Sequence, residues 1–187
     1  IPLAKERLDV GPGVFGLALL TIAAGAVTAM PLTGAMINRY GSSRVSLVTG
    51  ALFCLAFAGP VTAPTLIPFA IMGYLLGALI GSMDVAMNAH GIAVEKALKR
   101  PIMSMLHGGF SVGGMVGAFA GAWAMKHMSE FTHIALAGGT CLVLLFISVQ
   151  FLLPRSIDKG LSDTHFGWPT KATIGLGLLC FLALMAE

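Results

Sequence analysis

Residues 73–101 read GYLLGALIGSMDVAMNAHGIAVEKALKRP, an apolar run that nevertheless holds a carboxylate, Asp84, and an amide, Asn88. On a helix advancing about 100° per residue, Gly73, Gly77, Gly81, Asp84, Asn88, Gly91 and Glu95 fall within an arc of roughly 80°, and Leu, Ile, Val and Met take the rest. A charge near the centre of a bilayer costs about 2.5–3.5 kcal/mol, so it faces a bundle interior or a water-filled cavity. The stretch therefore reads as a transmembrane helix whose small, polar face lines something wet.

Composition agrees with a membrane solvent. The chain of 187 residues is 57% hydrophobic and 10% charged and carries 24 glycines, with a mean hydropathy of +0.90. That balance points to an all-α polytopic membrane protein. The net charge of +3 is spread over short loops, so a nucleic-acid partner has no support. Cys54, Cys141 and Cys180 lie inside apolar runs without CxxC spacing, and neither a disulfide nor a metal site is expected. The sequence opens without Met and stops inside the apolar run IGLGLLCFLALMAE, which reads as a fragment at both ends.

Working outward from the central stretch, apolar runs of roughly the 20 residues that a bilayer core requires fall at about 14–37, 45–61, 66–94, 102–125 and 133–153. NRYGSSR (38–44), the proline-rich GPVTAPTLIP (59–68), EKALKRP (95–101) and MKHMSEFT (125–132) separate them. Residues 154–171 read as a longer loop, and a further span begins at 172. The loops near 40, 97 and 160 carry Arg39, Arg44, Lys96, Lys99, Arg100, Arg155, Lys159 and Lys171, against Lys5, Arg7 and Lys126 in the alternate set, which places the first set in the cytoplasm. Glycines recur at Gly73, Gly77 and Gly81 and again at Gly109, Gly113, Gly117 and Gly121, a spacing that lets helices approach closely in lipid.

Patterns of soluble enzymes fail on context. GPGVFG (11–16) matches GxGxxG but has no strand before it and no acidic residue between Asp9 and Asp84. GFSVG (109–113) matches GxSxG, yet it lies in an apolar helix rather than a strand-turn-helix elbow. The apolar runs up to residue 153 hold one aspartate, too few for an aspartyl dyad, and no HExxH occurs. No catalytic residue, cofactor or metal is expected, and the protein does not read as an enzyme.

Residues 34–44, GAMINRYGSSR, resemble the loop between the second and third helices of the major facilitator superfamily, GxxxDRxGRR in its fuller form. The stretch MDVAMNAHGIAVEKALKRPIMSMLHGGFSVGG (83–114) resembles a bacterial inner-membrane group close to the fucose and sugar permeases. The resemblance covers the whole chain. It implies a major facilitator fold in which residues 1–153 form the N-terminal six-helix bundle with its first helix missing, 154–171 form the cytoplasmic central loop, and 172–187 begin helix seven. Asp84 and Asn88 then lie on helix four, which in this family lines the cavity, and Gly34, Asn38, Arg39, Gly41 and Arg44 form the cytoplasmic gating loop. This loop departs from the pattern: Asn38 replaces Asp, and Ser42 and Ser43 stand where basic residues are usual. The Gly-Pro signature of the superfamily's antiporters is absent from helix five, which leans toward uptake.

The implied function is secondary transport of a small polar solute, such as a sugar or related metabolite, by alternating access in a bacterial inner membrane. The partners are the solute, a proton or other coupling ion, the lipid bilayer and the C-terminal half of the same protein. A carboxylate in a low-dielectric cavity favours its neutral form and can exchange protons. Glu187, about 15 residues or roughly 22 Å into its helix, is the first candidate for coupling. Asp84 is the second, with an ion pair to Arg39 or Arg44 as its structural alternative. Asn88 can hydrogen-bond hydroxyls. His107 is either a proton relay or a satisfied polar residue at a helix end. Drug efflux, a passive channel and a non-transporting scaffold or receptor remain as alternative readings.

Overall fold

A computed structural model describes residues 2–158 of the chain, and these are helical, with no strand among them. Glu187, the loop beyond residue 158 and the span expected from 172 lie outside the described residues. The helices are α1 (Pro2–Leu8), α2 (Pro12–Tyr40), α3 (Ser42–Ala56), α4 (Ala58–Thr62), α5 (Leu66–Leu98), α6 (Met103–His127) and α7 (Glu130–Val149), followed by a 3-10 turn, Arg155–Asp158.

Four stretches among the described residues are long and apolar enough to cross a membrane: Pro12–Tyr40, Ser42–Thr62, Leu66–Leu98 and Glu130–Val149. The chain is a multi-pass helical membrane protein. Its surface matches that solvent, since Leu17, Val27, Leu32, Leu55, Ile67, Phe119 and Phe131 are exposed, and in lipid such a surface needs no cover. The fifth expected span, α6, has the length, but His107, Lys126 and His127 and glycines at 108, 109, 113, 114, 117 and 121 dilute its apolar content.

Element ends differ from the sequence expectation for local reasons. The NRYGSSR segment is no loop. Asn38, Arg39 and Tyr40 complete α2, Gly41 alone breaks the helix at φ 90° and ψ 151°, and α3 starts at Ser42. That backbone region favours glycine. Gly34 therefore does not close α2, and Asn38 does not cap α3, whose N-cap residue is Gly41 without a side-chain cap bond. The expected helix over 45–61 runs as one span, Ser42–Thr62, interrupted in its hydrogen bonding at Phe57, whose φ of −55° and ψ of −35° stay helical. Pro60 lacks the N–H that would bond the Ala56 carbonyl, and its ring crowds that oxygen, so the irregularity falls there. Toward the other end of the chain, α7 begins at Glu130 rather than 133 because Ser129 caps it, its hydroxyl oxygen accepting from the Thr132 N–H at 3.2 Å.

The core is the crossing of α2 on α5. Gly73, Gly77 and Gly81 of α5 are buried against Ile22 and Ala26 of α2. A Cβ at Gly77 would overlap the Ile22 carbonyl, and one at Gly81 would lie 2.8 Å from the Ala26 Cα. From the opposite side, Gly25 of α2 sits against the Tyr74 carbonyl. Phe15 meets Phe69 at 5.4 Å between centroids, Thr33 Oγ1 lies 2.8 Å from Ser82 Oγ in a buried pair, and Ile37 packs in one cluster with Val45 and Ala86. Contacts advance together along both helices, so α2 and α5 run parallel, with α3 and α4 returning between them.

One set of connections is tied at each end. Arg7 Nη1 donates to the Val61 carbonyl, and Arg7 Nη2 lies 2.6 Å from Glu130 Oε2, joining α1, the end of α4 and the start of α7. Gly41 and the α5–α6 connection lie at the far end of α2 and α5.

Candidate functional site

The α5 stripe divides into two parts along its length. Its glycines at 73, 77 and 81 face α2, which stays packed on α5 as far as Ala86, while Asp84 and Asn88 border a pocket shared with α6. Here the two helices enclose a pocket of about 260 Å³ lined by Asp84, Met87, Asn88, Met103, Leu106, His107 and Phe110. Asp84, Asn88 and His107, separated by up to 23 positions in sequence, thus share one pocket. Glu187 lies outside the described residues, so its relation to them is not part of this geometry.

Asn88 is oriented by Asp84. Its Nδ2 lies 2.9 Å from the Asp84 backbone carbonyl and 3.1 Å from Asp84 Oδ1. Both partners are acceptors, so the amide nitrogen must face them and Asn88 Oδ1 must point elsewhere. Among the described residues, Asp84 makes no ion pair with Arg39 or Arg44. Asp84 is exposed and Asn88 half-buried. Across the pocket, His107 is exposed on α6, and its backbone carbonyl accepts from Ser111 Oγ at 3.2 Å.

Glu95 holds the wall of the pocket in place. The carboxylate oxygen Oε2 accepts from the N–H groups of Ile102 at 2.7 Å and Met103 at 3.0 Å. These donors belong to the first turn of α6, where backbone N–H groups lack intrahelical partners and negative charge is favoured. Nearby Gly91 admits Met103 and Leu106, since a Cβ there would lie 3.0 Å from Met103 Sδ. The small-polar arc on α5 therefore does three separate things: it packs on α2, borders the pocket and anchors α6.

Between its two ends α6 has little cover from the other described residues. Among these, nothing lies within 4 Å of a Cβ built at Gly109, Gly113 or Gly117, and only the His133 ring, at 3.9 Å, approaches Gly121. Of the α6 residues only Ala124 is buried.

Of the residues expected to form a gating loop, Asn38, Arg39, Gly41 and Arg44 sit at the α2–α3 junction and Gly34 lies inside α2. Arg39 lies 5.3 Å from the centroid of the adjacent Tyr40 ring, Arg44 is exposed in the first turn of α3, and no described residue lies within 4 Å of a Cβ built at Gly34. The residue that ties this junction to α5 is His90, which faces away from the Asp84 arc and carries no motif. Its Nδ1 lies 2.9 Å from Ser42 Oγ, and both side chains are buried. The signal present in the sequence was a histidine on an otherwise apolar helix face, one turn from Ala86 and Ala93, with two serines directly after the Gly41 break.

The described residues hold no cluster of three or more His, Cys, Asp or Glu able to bind a metal. No family model matches the chain, and no solved structure matches it. An uncharacterized MFS-type transporter of Yersinia pestis is 36% identical over 191 residues, covering 100% of this chain and 49% of that protein. An uncharacterized transporter of Sinorhizobium fredii is 36% identical over 121 residues, covering 65% of this chain and 32% of that protein. A membrane protein of Rhizobium meliloti named MosC is 30% identical over 196 residues, covering 100% of this chain and 46% of that protein. The chain spans about half the length of the curated relatives that it matches end to end. It is a multi-pass helical membrane protein related along its whole length to MFS-type transporters.

Proposed function

We propose that the chain forms part of a secondary active transporter that moves a small polar solute, such as a sugar or related metabolite, across a bacterial inner membrane by proton-coupled alternating access. The observation that carries this reading is the meeting of Asp84, Asn88 and His107 in one pocket between two membrane-length helices, in a chain whose relatives are named transporters. A carboxylate, an amide and an imidazole supply a charge, an acceptor and an exchangeable proton at one place. In this reading Glu187 supplies a second coupling carboxylate, the C-terminal half of the protein closes the pocket, and the uncovered Gly109, Gly113 and Gly117 ridge packs on that half. The α2–α3 junction and the loops near 97 and 160 face the cytoplasm, and Gly41 with Arg39 and Arg44 gates the inner side.

Met87, Met103, Leu106 and Phe110 make most of the lining apolar, which favours as a second reading the export of amphipathic solutes by a transporter of the same kind. The test for both is the full-length protein in proteoliposomes, with thermal stability and uptake followed over a panel of sugars, sugar acids and hydrophobic cations at two pH values. A pH-dependent response to one polar solute supports the first reading. A response confined to hydrophobic cations supports the second, and no response to any solute contradicts both.

A further inference from the structure

The hydrogen-bonding capacity of the α5 wall is one-sided. Asn88 has two amide hydrogens, and its nitrogen lies against two acceptors of Asp84, the backbone carbonyl at 2.9 Å and Oδ1 at 3.1 Å. Both donors are thereby engaged. What α5 offers the pocket is the other face of these groups: the remaining lone pairs of the Asp84 carboxylate and the carbonyl oxygen of Asn88, all acceptors. The other lining residues add no second wall of donors. Met87 and Met103 carry thioethers, which accept weakly, Leu106 and Phe110 are apolar, and among the described residues of the lining His107 is the remaining side-chain donor. No Lys or Arg is among the described residues that line the pocket.

We infer that this pocket takes the ammonium end of a small organic cation, with the Asp84 carboxylate and Asn88 Oδ1 as its acceptors. The inference rests on the transport reading of this site and, within it, names an organic cation in place of a neutral sugar as the solute. An ammonium presents several donors and no acceptor, the complement of an edge with several acceptors and no donor. Its charge is met by the carboxylate, and charge-assisted bonds of this kind are roughly twice as strong as neutral ones. The skeleton behind it lies against Met87, Met103, Leu106 and Phe110, and the aromatic face of Phe110 is itself attractive to a cation. An anion is refused by Asp84. A neutral polyol has an acceptor oxygen at every hydroxyl, and only His107 can satisfy one.

The test uses the full-length protein in detergent near neutral pH and two pairs of probes matched in size: cyclohexylammonium against cyclohexanol, and N-methylglucamine against sorbitol. Dissociation constants are taken by calorimetry. The ammonium member of each pair is expected to bind about tenfold or more tightly than its neutral mate. Asp84→Asn is expected to erase the difference and Asp84→Glu, which keeps the charge, to retain it. Equal affinity within both pairs, or no binding of either ammonium, overturns the inference. Flux in proteoliposomes separates it from the reading beneath it. Proton-driven uptake of sorbitol with no preference for the ammonium removes this inference and leaves the transporter, whereas ammonium binding without flux of any solute leaves this inference and removes the transporter.

Discussion

Gly77 of α5 and Ile22 of α2 meet backbone to backbone, the glycine Cα facing the isoleucine carbonyl with no room for a methyl group between them. This approach sets the α2–α5 packing, and Asp84 and Asn88 lie on a neighbouring strip of α5, where they border the pocket shared with α6. Gly77→Ala is expected to cost about 1–3 kcal/mol by overpacking, and Gly25→Ala against the Tyr74 carbonyl a similar amount. The measurement is the melting temperature of the full-length protein in detergent.

Gly113→Ala provides the contrast, because none of the described residues lies within 4 Å of the added methyl. Unchanged melting is expected if lipid covers the ridge. A fall comparable to that of Gly77→Ala is expected if the C-terminal half packs there, as proposed above. Cysteine cross-linking from position 113 distinguishes the two.

Buried His90 Nδ1 and Ser42 Oγ, 2.9 Å apart, join α5 to the first residue of α3. His90→Leu fills similar space without the ring nitrogen and is expected to destabilise the protein by about 1–3 kcal/mol, the usual cost of disturbing a buried hydrogen bond. The loss should appear locally as faster amide hydrogen exchange around Gly41 and Ser42, with the α5–α6 contact unaffected.

Glu95 spans the α5–α6 connection, so its removal should act on α6 alone. Glu95→Ala takes away both acceptors of the Ile102 and Met103 N–H groups and is expected to cost about 1–2 kcal/mol, as for loss of a helix cap. Glu95→Gln keeps an acceptor without the charge and should recover part of that. Thermal melting of the two variants side by side checks the order.

For Arg7 and Glu130 a small effect is expected. The pair is close, at 2.6 Å, but its side chains are 32% and 34% exposed, and water and salt screen a pair of this kind. A double-mutant cycle of Arg7→Ala and Glu130→Ala should give a coupling under about 1 kcal/mol that shrinks as salt is raised.

Much of this was legible in the sequence wherever periodicity met a strong physical constraint. The glycines at 73, 77 and 81 lie on one helical face, and that face carries the closest helix contact. The cost of a carboxylate in lipid singled out Asp84, and the structure places it at a pocket with Asn88 and His107. What could not be read was where one face ends and another neighbour begins. Gly81 and Asp84 are about 60° apart around α5 yet meet different neighbours, while α2 stays packed on α5 beyond both, at Ala86 beside Ile37. The polar segment NRYGSSR looked like a loop because its residues are hydrophilic, but helix ends in a membrane protein reach beyond the apolar core, and only Gly41 leaves the helical region. His90 escaped because its partner, Ser42, lies 48 positions away across a hairpin whose geometry sequence spacing does not fix.

The most direct test of the central claim, that the pocket of Asp84, Asn88 and His107 lies on a solute path, is accumulation by the full-length protein carrying Asp84→Asn, compared with the unaltered protein at equal amounts in proteoliposomes under a proton gradient. The account predicts that accumulation of the transported solute falls by about tenfold or more, as expected when a charged hydrogen-bond partner is lost, while the melting temperature stays close to that of the unaltered protein. Accumulation unchanged in a well-folded Asp84→Asn variant would contradict it.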